Sequence, residues 1–253
     1  MIYITGDCHG DYRKFSKRQR MKYHFDLGED DYVIVCGDMG LIWDKKDKTL
    51  DYNIDWFSRL PFTILFVDGN HEGFTLLNEY PAEEWNGGKV HHIVKDKVIH
   101  LMRGQVFDIE DKKIFTFGGA SSHDIQGGIL DKTSPDYEKL KKKALDMGLP
   151  YRILNESWWP EELPTEKEMQ EGRNNLEKTG WKVDYVISHC CASSIQEKVN
   201  TFFHRSKKTD VLTDYFDEIE KKLKYRKWYF GHYHLNREVD KKHTVVYEEM
   251  RVI

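Results

Sequence analysis

Seven side chains that bind divalent metals recur in short polar turns. They are Asp7 and His9 in Gly6-Asp7-Cys8-His9, Asp38 after Gly37, Asn70 in Gly69-Asn70-His71-Glu72, His189 before Cys190-Cys191, and His232 and His234 in Gly231-His232-Tyr233-His234. Imidazole nitrogens with carboxylate and amide oxygens suit divalent manganese, iron or zinc and do not choose among them. Seven donors are too many for one ion and suit two. Two ions about 3.5–4 Å apart need a bridging ligand, which a carboxylate can be and a neutral imidazole cannot. Asp38 is therefore assigned the bridge. Asp7, His9 and His234 complete one metal, and Asn70, His189 and His232 the other. His71 is not needed as a ligand; it is assigned the catalytic role of donating a proton to a leaving oxygen or stabilising its charge. Two dications against two carboxylates leave excess positive charge. That favours hydroxide and an anionic substrate, and a phosphate ester attacked in line by a hydroxide bridging the two metals meets both conditions.

Each turn follows a short apolar run, at 2–4, 32–36, 62–67, 184–188 and 227–230, that reads as a buried strand. Asp7, Asp38 and Asn70 are spaced by 31 and 32 residues, the length of a βα unit. Parallel strands joined by such crossovers bring their carboxyl ends to one side, where open α/β sheets bind ligands. Residues 45–60 are expected to form a helix with Tyr52, Trp56 and Leu60 inward. Runs at 90–94, 98–102, 105–109 and 113–117 read as antiparallel hairpins leading into a polar loop, 118–124. Residues 131–180 are polar and mostly helical, a cap or flank, with Thr165 and Glu168 spaced as a capping box. A helical stretch, 193–224, and closing strands at 235–239 and 243–248 complete one α/β domain spanning 1–253, with mixed sheets and outer helices.

The chain has 253 residues, 39% hydrophobic and 32% charged, with net charge −4. That balance argues against a broad nucleic-acid coat, which needs strong positive charge, but leaves a nucleotide substrate open. No apolar run approaches the roughly 20 residues of a membrane span. The amino terminus opens directly on a strand pattern without the features of a signal peptide. Cys8, Cys36, Cys190 and Cys191 form no C-x-x-C pair, which fits buried thiols in a reducing cytoplasm. His91, His92, His100, His204 and His243 have no motif context and are expected to serve surface or strand packing. Nothing in the sequence sets an oligomeric state.

Asp-x-His, Gly-Asp, Gly-Asn-His-Glu, a later His and Gly-His-x-His, in this order from 7 to 234, resemble the calcineurin-like metallophosphoesterase superfamily. Gly37-Asp38-Met39-Gly40-Leu41-Ile42-Trp43 and Gly118-Gly119-Ala120-Ser121-Ser122 look like a bacterial or phage-type branch. The resemblance implies a four-layer α/β/β/α sandwich of two mixed sheets flanked by helices. It also implies a dinuclear centre at Asp7, His9, Asp38, Asn70, His189, His232 and His234, with His71 as catalytic imidazole, hydrolysing a phosphorylated small molecule or nucleotide. The protein Ser/Thr phosphatase branch has an Asp-Arg pair after the second motif and an Arg before Gly-Asn-His-Glu. Here the second position is Asp68, and neither arginine is present, nor is the carboxylate partner of the imidazole. Arg103, His123 and Arg173 are the candidate replacements for binding substrate. A phosphodiesterase or nuclease, and a non-catalytic protein-binding scaffold on the same fold, are the rival readings.

Overall fold

The alternation of side chains along each strand divides the interior into three apolar cores. A computed structural model describes residues 1–44, 47–202 and 209–253. The first half holds β1 (Ile2–Thr5), α1 (Lys17–Lys22), β2 (Tyr32–Val35), α2 (Leu50–Ser58), β3 (Thr63–Phe66), α3 (Phe74–Leu77), β4 (Ala82–Trp85), β5 (Gly88–Val94), β6 (Val98–Leu101), β7 (Gln105–Ile109) and β8 (Lys112–Phe117). Then come β9 (Ile129–Leu130), α4 (Tyr137–Asp146), β10 (Arg152–Ile153), α5 (Glu166–Lys178), β11 (Tyr185–Ser188), α6 (Ser193–Asn200), α7 (Val211–Lys222), β12 (Lys227–Phe230), β13 (Arg237–Glu238), β14 (His243–Val245) and β15 (Arg251–Val252).

Among the described residues the strands form a seven-stranded sheet, ordered β15-β1-β2-β3-β6-β5-β4, and a six-stranded sheet, ordered β13-β14-β12-β11-β8-β7. Both are mixed: β1, β2, β3 and β6 run parallel in one, β8, β11, β12 and β14 in the other, with antiparallel strands at the edges. Ile2, Ile4, Ile34 and Leu65 of the first sheet pack with Ile114, Ile187 and Tyr229 of the second, forming the central core. The alternate residues Tyr3, Val33, Val35, Ile64 and Phe66 pack outward with Phe57 of α2 and Phe74 of α3. Phe115, Phe117, Val186, Trp228 and Phe230 do the same with α5, α6 and α7. The result is the expected α/β/β/α arrangement. Thr5, Val35 and Phe66 are register neighbours across β1, β2 and β3, as Ser188 and Phe230 are across β11 and β12, so the polar turns begin side by side.

Several local expectations need correcting. The helix expected over 45–60 begins at Leu50; residues 45 and 46 lie outside the described residues. Tyr52 is 69% exposed rather than inward. Leu50, Ile54 and Phe57, spaced by four and three, share the apolar face, and Tyr52 falls on the opposite one. The segment 131–180 has helices α4 and α5, but β10 lies between them and pairs in parallel with β9, and a 3-10 turn covers Pro160–Glu162. The capping box is present: Thr165 N–H donates to Glu168 Oε2 at 2.7 Å, and Glu168 N–H donates to Thr165 Oγ1 at 3.3 Å. In the span 193–224, residues 203–208, including His204, lie outside the described residues. Strand β4 was not anticipated because its sequence is polar, as edge strands are. Its hairpin turn, Asn86-Gly87 with φ of 46° and 90°, carries the Asn-Gly signature of a two-residue hairpin. Among the described residues no helix is long and apolar enough to cross a membrane.

Candidate metal centre

The seven predicted ligands gather where the carboxyl ends of β1, β2, β3, β11 and β12 meet. His234 Nε2 lies 3.1 Å from Asp7 Oδ2 and 2.9 Å from His9 Nε2. His9 Nε2 is 3.7 Å from both Asp7 Oδ2 and Asp38 Oδ2. On the other side of Asp38, His189 Nε2 is 3.3 Å from Asp38 Oδ1 and 3.3 Å from Asn70 Oδ1. The His232 ring stands edge-on to His189, with centroids 5.0 Å apart. Asp38 thus touches both halves of the cluster. Among the described residues, three groups of donor atoms each fall within 4.8 Å: Asp7, His9 and His234; Asp7, Asp38 and His189; and His9, Asp38 and His71.

The backbone pays for this convergence. His9, Asp38, His232 and His234 all have positive φ, between 49° and 66°. Non-glycine residues adopt this region rarely, and it concentrates where function over-determines the chain. The left-handed kinks at His232 and His234 take the Gly231-His232-Tyr233-His234 segment out of regular strand geometry where it reaches the site. Glycines make the room. A Cβ on Gly231 would run into Asp7 Oδ1, one on Gly69 into Asp38, and one on Gly37 into the His189 ring.

Surrounding groups fix which atoms face the centre. His189 Nδ1 lies 2.7 Å from the Cys36 carbonyl, so it carries the proton and donates it there, leaving Nε2 for the site. Asn70 Nδ2 donates to Ser122 Oγ at 3.2 Å, which turns Oδ1 inward. Ser122 N–H in turn donates to Glu162 Oε2 at 3.0 Å. The buried Glu72 carboxylate accepts from Met39 N–H at 2.7 Å and Gly40 N–H at 3.2 Å, bracing the turn that carries Asp38. Asp38 Oδ1 accepts from the His71 backbone N–H at 2.7 Å.

The electrostatics fit cations. Burial opposes the charge on Asp7 and Asp38, yet neighbouring histidines outweigh it: His234 and His9 hold Asp7 well below the carboxylate range, and His189 brings Asp38 to about 2. Burial is likewise overcome at His189, where Asp38 and Asp7 lift the imidazole to about 10. Divalent cations binding here therefore displace protons. Asp7 Oδ2 is buried and crowded by His234 Nε2 at 3.1 Å and His9 Nε2 at 3.7 Å without a well-aligned hydrogen bond, an arrangement that a cation among these donors would satisfy. The donor set and this oxygen fit divalent metal ions.

The structure treats the candidate substrate residues differently. His123 is brought beside His232, with ring centroids 6.1 Å apart. Arg103 is not free for substrate. It is buried, its Nε donates to Asp68 Oδ2 at 2.9 Å, and its Nη2 donates to the Glu161 carbonyl at 2.6 Å. Arg173 is bound on α5 to Glu218 and Glu166, each at 2.8–3.1 Å. The residue that sequence reasoning missed is Arg152 on β10. Its Nη2 lies 3.2 Å from His71 Nε2, while Asp124 holds its other edge. No motif marks it, because it comes from the segment between α4 and α5 and reaches the site only through the β9–β10 pairing.

Asp68 has a structural partner set. Burial would raise its carboxyl, but Arg103 and His100 hold it below the usual range. Arg103→Met leaves that charge buried and is expected to lower unfolding stability by about 3–5 kcal/mol. Urea denaturation at pH 7 measures this; a loss under about 1 kcal/mol would mean the pair is dispensable.

A family model described as calcineurin-like phosphoesterase matches residues 1–236. No match was found among curated proteins.

Proposed function

The chain belongs to the calcineurin-like phosphoesterase family, hydrolases of phosphoric esters, and on that premise we propose that it hydrolyses its ester at a dinuclear centre. Asp7, His9 and His234 would hold one ion, Asn70, His189 and His232 the other, and the Asp38 carboxylate would be shared between them. The observation that supports this reading is the buried cluster in which Asp7 Oδ2 is crowded by imidazole nitrogens without a well-aligned hydrogen bond and Asp38 contacts donors on both sides. Divalent ions, when bound, supply an activated water and neutralise phosphoryl charge.

The protein's own groups orient the reaction. His71 is the proposed catalytic imidazole. Burial pushes it down to about 4, Arg152, His9 and His189 add to this, and Asp38 opposes it. At neutral pH it is therefore an uncharged imidazole that stabilises charge on the leaving oxygen through an N–H. The Asp38–His71 hydrogen bond fixes its distance from the bridging carboxylate. The Trp43 ring lies near-parallel to His71, with centroids 6.4 Å apart. We take residues 1–253 as one working unit on a phosphorylated small molecule or nucleotide. Four buried, unpaired cysteines support a cytoplasmic setting.

Chelation tests the metal requirement. Protein stripped with EDTA is expected to lose at least ~90% of its p-nitrophenyl phosphate turnover and to recover it with added Mn²⁺, consistent with metal-assisted hydrolysis. Full turnover in metal-free protein would exclude the reading.

A further inference from the structure

Arg152 is a buried guanidinium with an unusual division of its donors. Its Nε–H is shared by both Asp124 oxygens at 3.0 Å, and Nη2 is 2.8 Å from Asp124 Oδ2. Nη1 donates to the Ser157 carbonyl at 2.9 Å. These contacts lock the planar group and aim the remaining Nη2–H at His71 Nε2, 3.2 Å away. Of five donors in the fork, that one faces the catalytic side. Other cations around the turns are committed elsewhere: Arg103 to Asp68, and Lys14 Nζ to the carbonyls of Gly6, Asp7 and Tyr247 at 2.9–3.0 Å.

We propose that Arg152 binds a terminal phosphoryl oxygen of the substrate, and that this contact selects phosphomonoesters over phosphodiesters. The inference rests on the phosphoesterase reading above and deepens it. A monoester phosphoryl group carries three terminal oxygens and close to two negative charges; a diester has two such oxygens and one charge. A pre-aimed guanidinium beside the catalytic imidazole rewards the additional oxygen and charge, and charge-assisted N–H···O⁻ bonds are the strong kind. On binding, the Nη2–H passes from the imidazole nitrogen to the phosphoryl oxygen. His71 Nε2 is then released from its donor.

The test compares wild type, R152A and R152K, all Mn²⁺-loaded, on p-nitrophenyl phosphate and bis(p-nitrophenyl) phosphate, with orthophosphate affinity by calorimetry. In R152A the ratio of monoester to diester kcat/KM is expected to fall at least tenfold, and orthophosphate affinity to weaken roughly 10- to 100-fold, the range for a lost charged hydrogen bond. R152K, which keeps a charge but not the fork, is expected to lie between, and carries the test if R152A does not fold. An equal loss on both esters, or unchanged orthophosphate affinity, overturns the proposal. Wild type inactive on every ester would instead contradict the phosphoesterase reading, and the calorimetry would still decide Arg152.

Discussion

Asp38→Asn is expected to reduce bound metal from about two ions per chain to fewer than one and to lower kcat/KM at least ~10³-fold, the scale expected when a two-metal centre loses its bridge. Asp38 is 1% exposed and sits between the two halves of the donor cluster, with His9 on one oxygen and His189 on the other. The amide keeps the shape and one acceptor. It removes the charge that offsets two dications and the second oxygen needed to bridge. The His71 N–H can still donate to the amide oxygen, so the turn itself should persist. Elemental analysis of the purified variant, with circular dichroism to establish folding, measures the effect. A folded Asp38→Asn protein with two tightly held ions would remove the bridge from the account.

His71→Ala is expected to keep both ions and lose about 10²–10⁴-fold in kcat, the usual contribution of a positioned acid–base group. The loss should be steepest for esters with poor leaving groups, because they depend most on charge stabilisation at the departing oxygen. The alternative is concrete. His71 also falls in a ligand-capable group with His9 and Asp38. Elemental analysis separates the two: metal retained with slow turnover supports a catalytic imidazole, whereas metal lost in step with activity makes His71 a ligand.

The strands and their polar ends were legible in the sequence because buried parallel strands are short β-branched and aromatic runs, and because alternate residues feed different cores. Tyr3 against Ile2 and Ile4 is an example. The Gly-flanked turns were legible for a steric reason. Gly37, Gly69 and Gly231 stand where any side chain would strike His189, Asp38 or Asp7. What was not legible depends on long-range placement. Arg103 looked like a spare cation, but β6 ends beside Asp68, and the two charges meet in the core. Glu162 and Ser122 orient Asn70 from a 3-10 turn and a loop with no shared motif. Arg152 reaches His71 only because a two-residue strand pairs with another two-residue strand, a signal too short for periodicity to carry. Of the helix residues expected inward, Trp56 and Leu60 do pack on the core, while Tyr52 lies opposite the face that Leu50, Ile54 and Phe57 define by their three-and-four spacing.

The central claim is that two metal ions sit among these seven side chains. Anomalous diffraction at the manganese edge from Mn²⁺-loaded crystals tests it most directly. The account predicts two peaks per chain, about 3.5–4 Å apart as two-metal sites require, flanking Asp38, with Asp7, His9 and His234 around one and Asn70, His189 and His232 around the other. A single peak, or peaks away from Asp38, would contradict it.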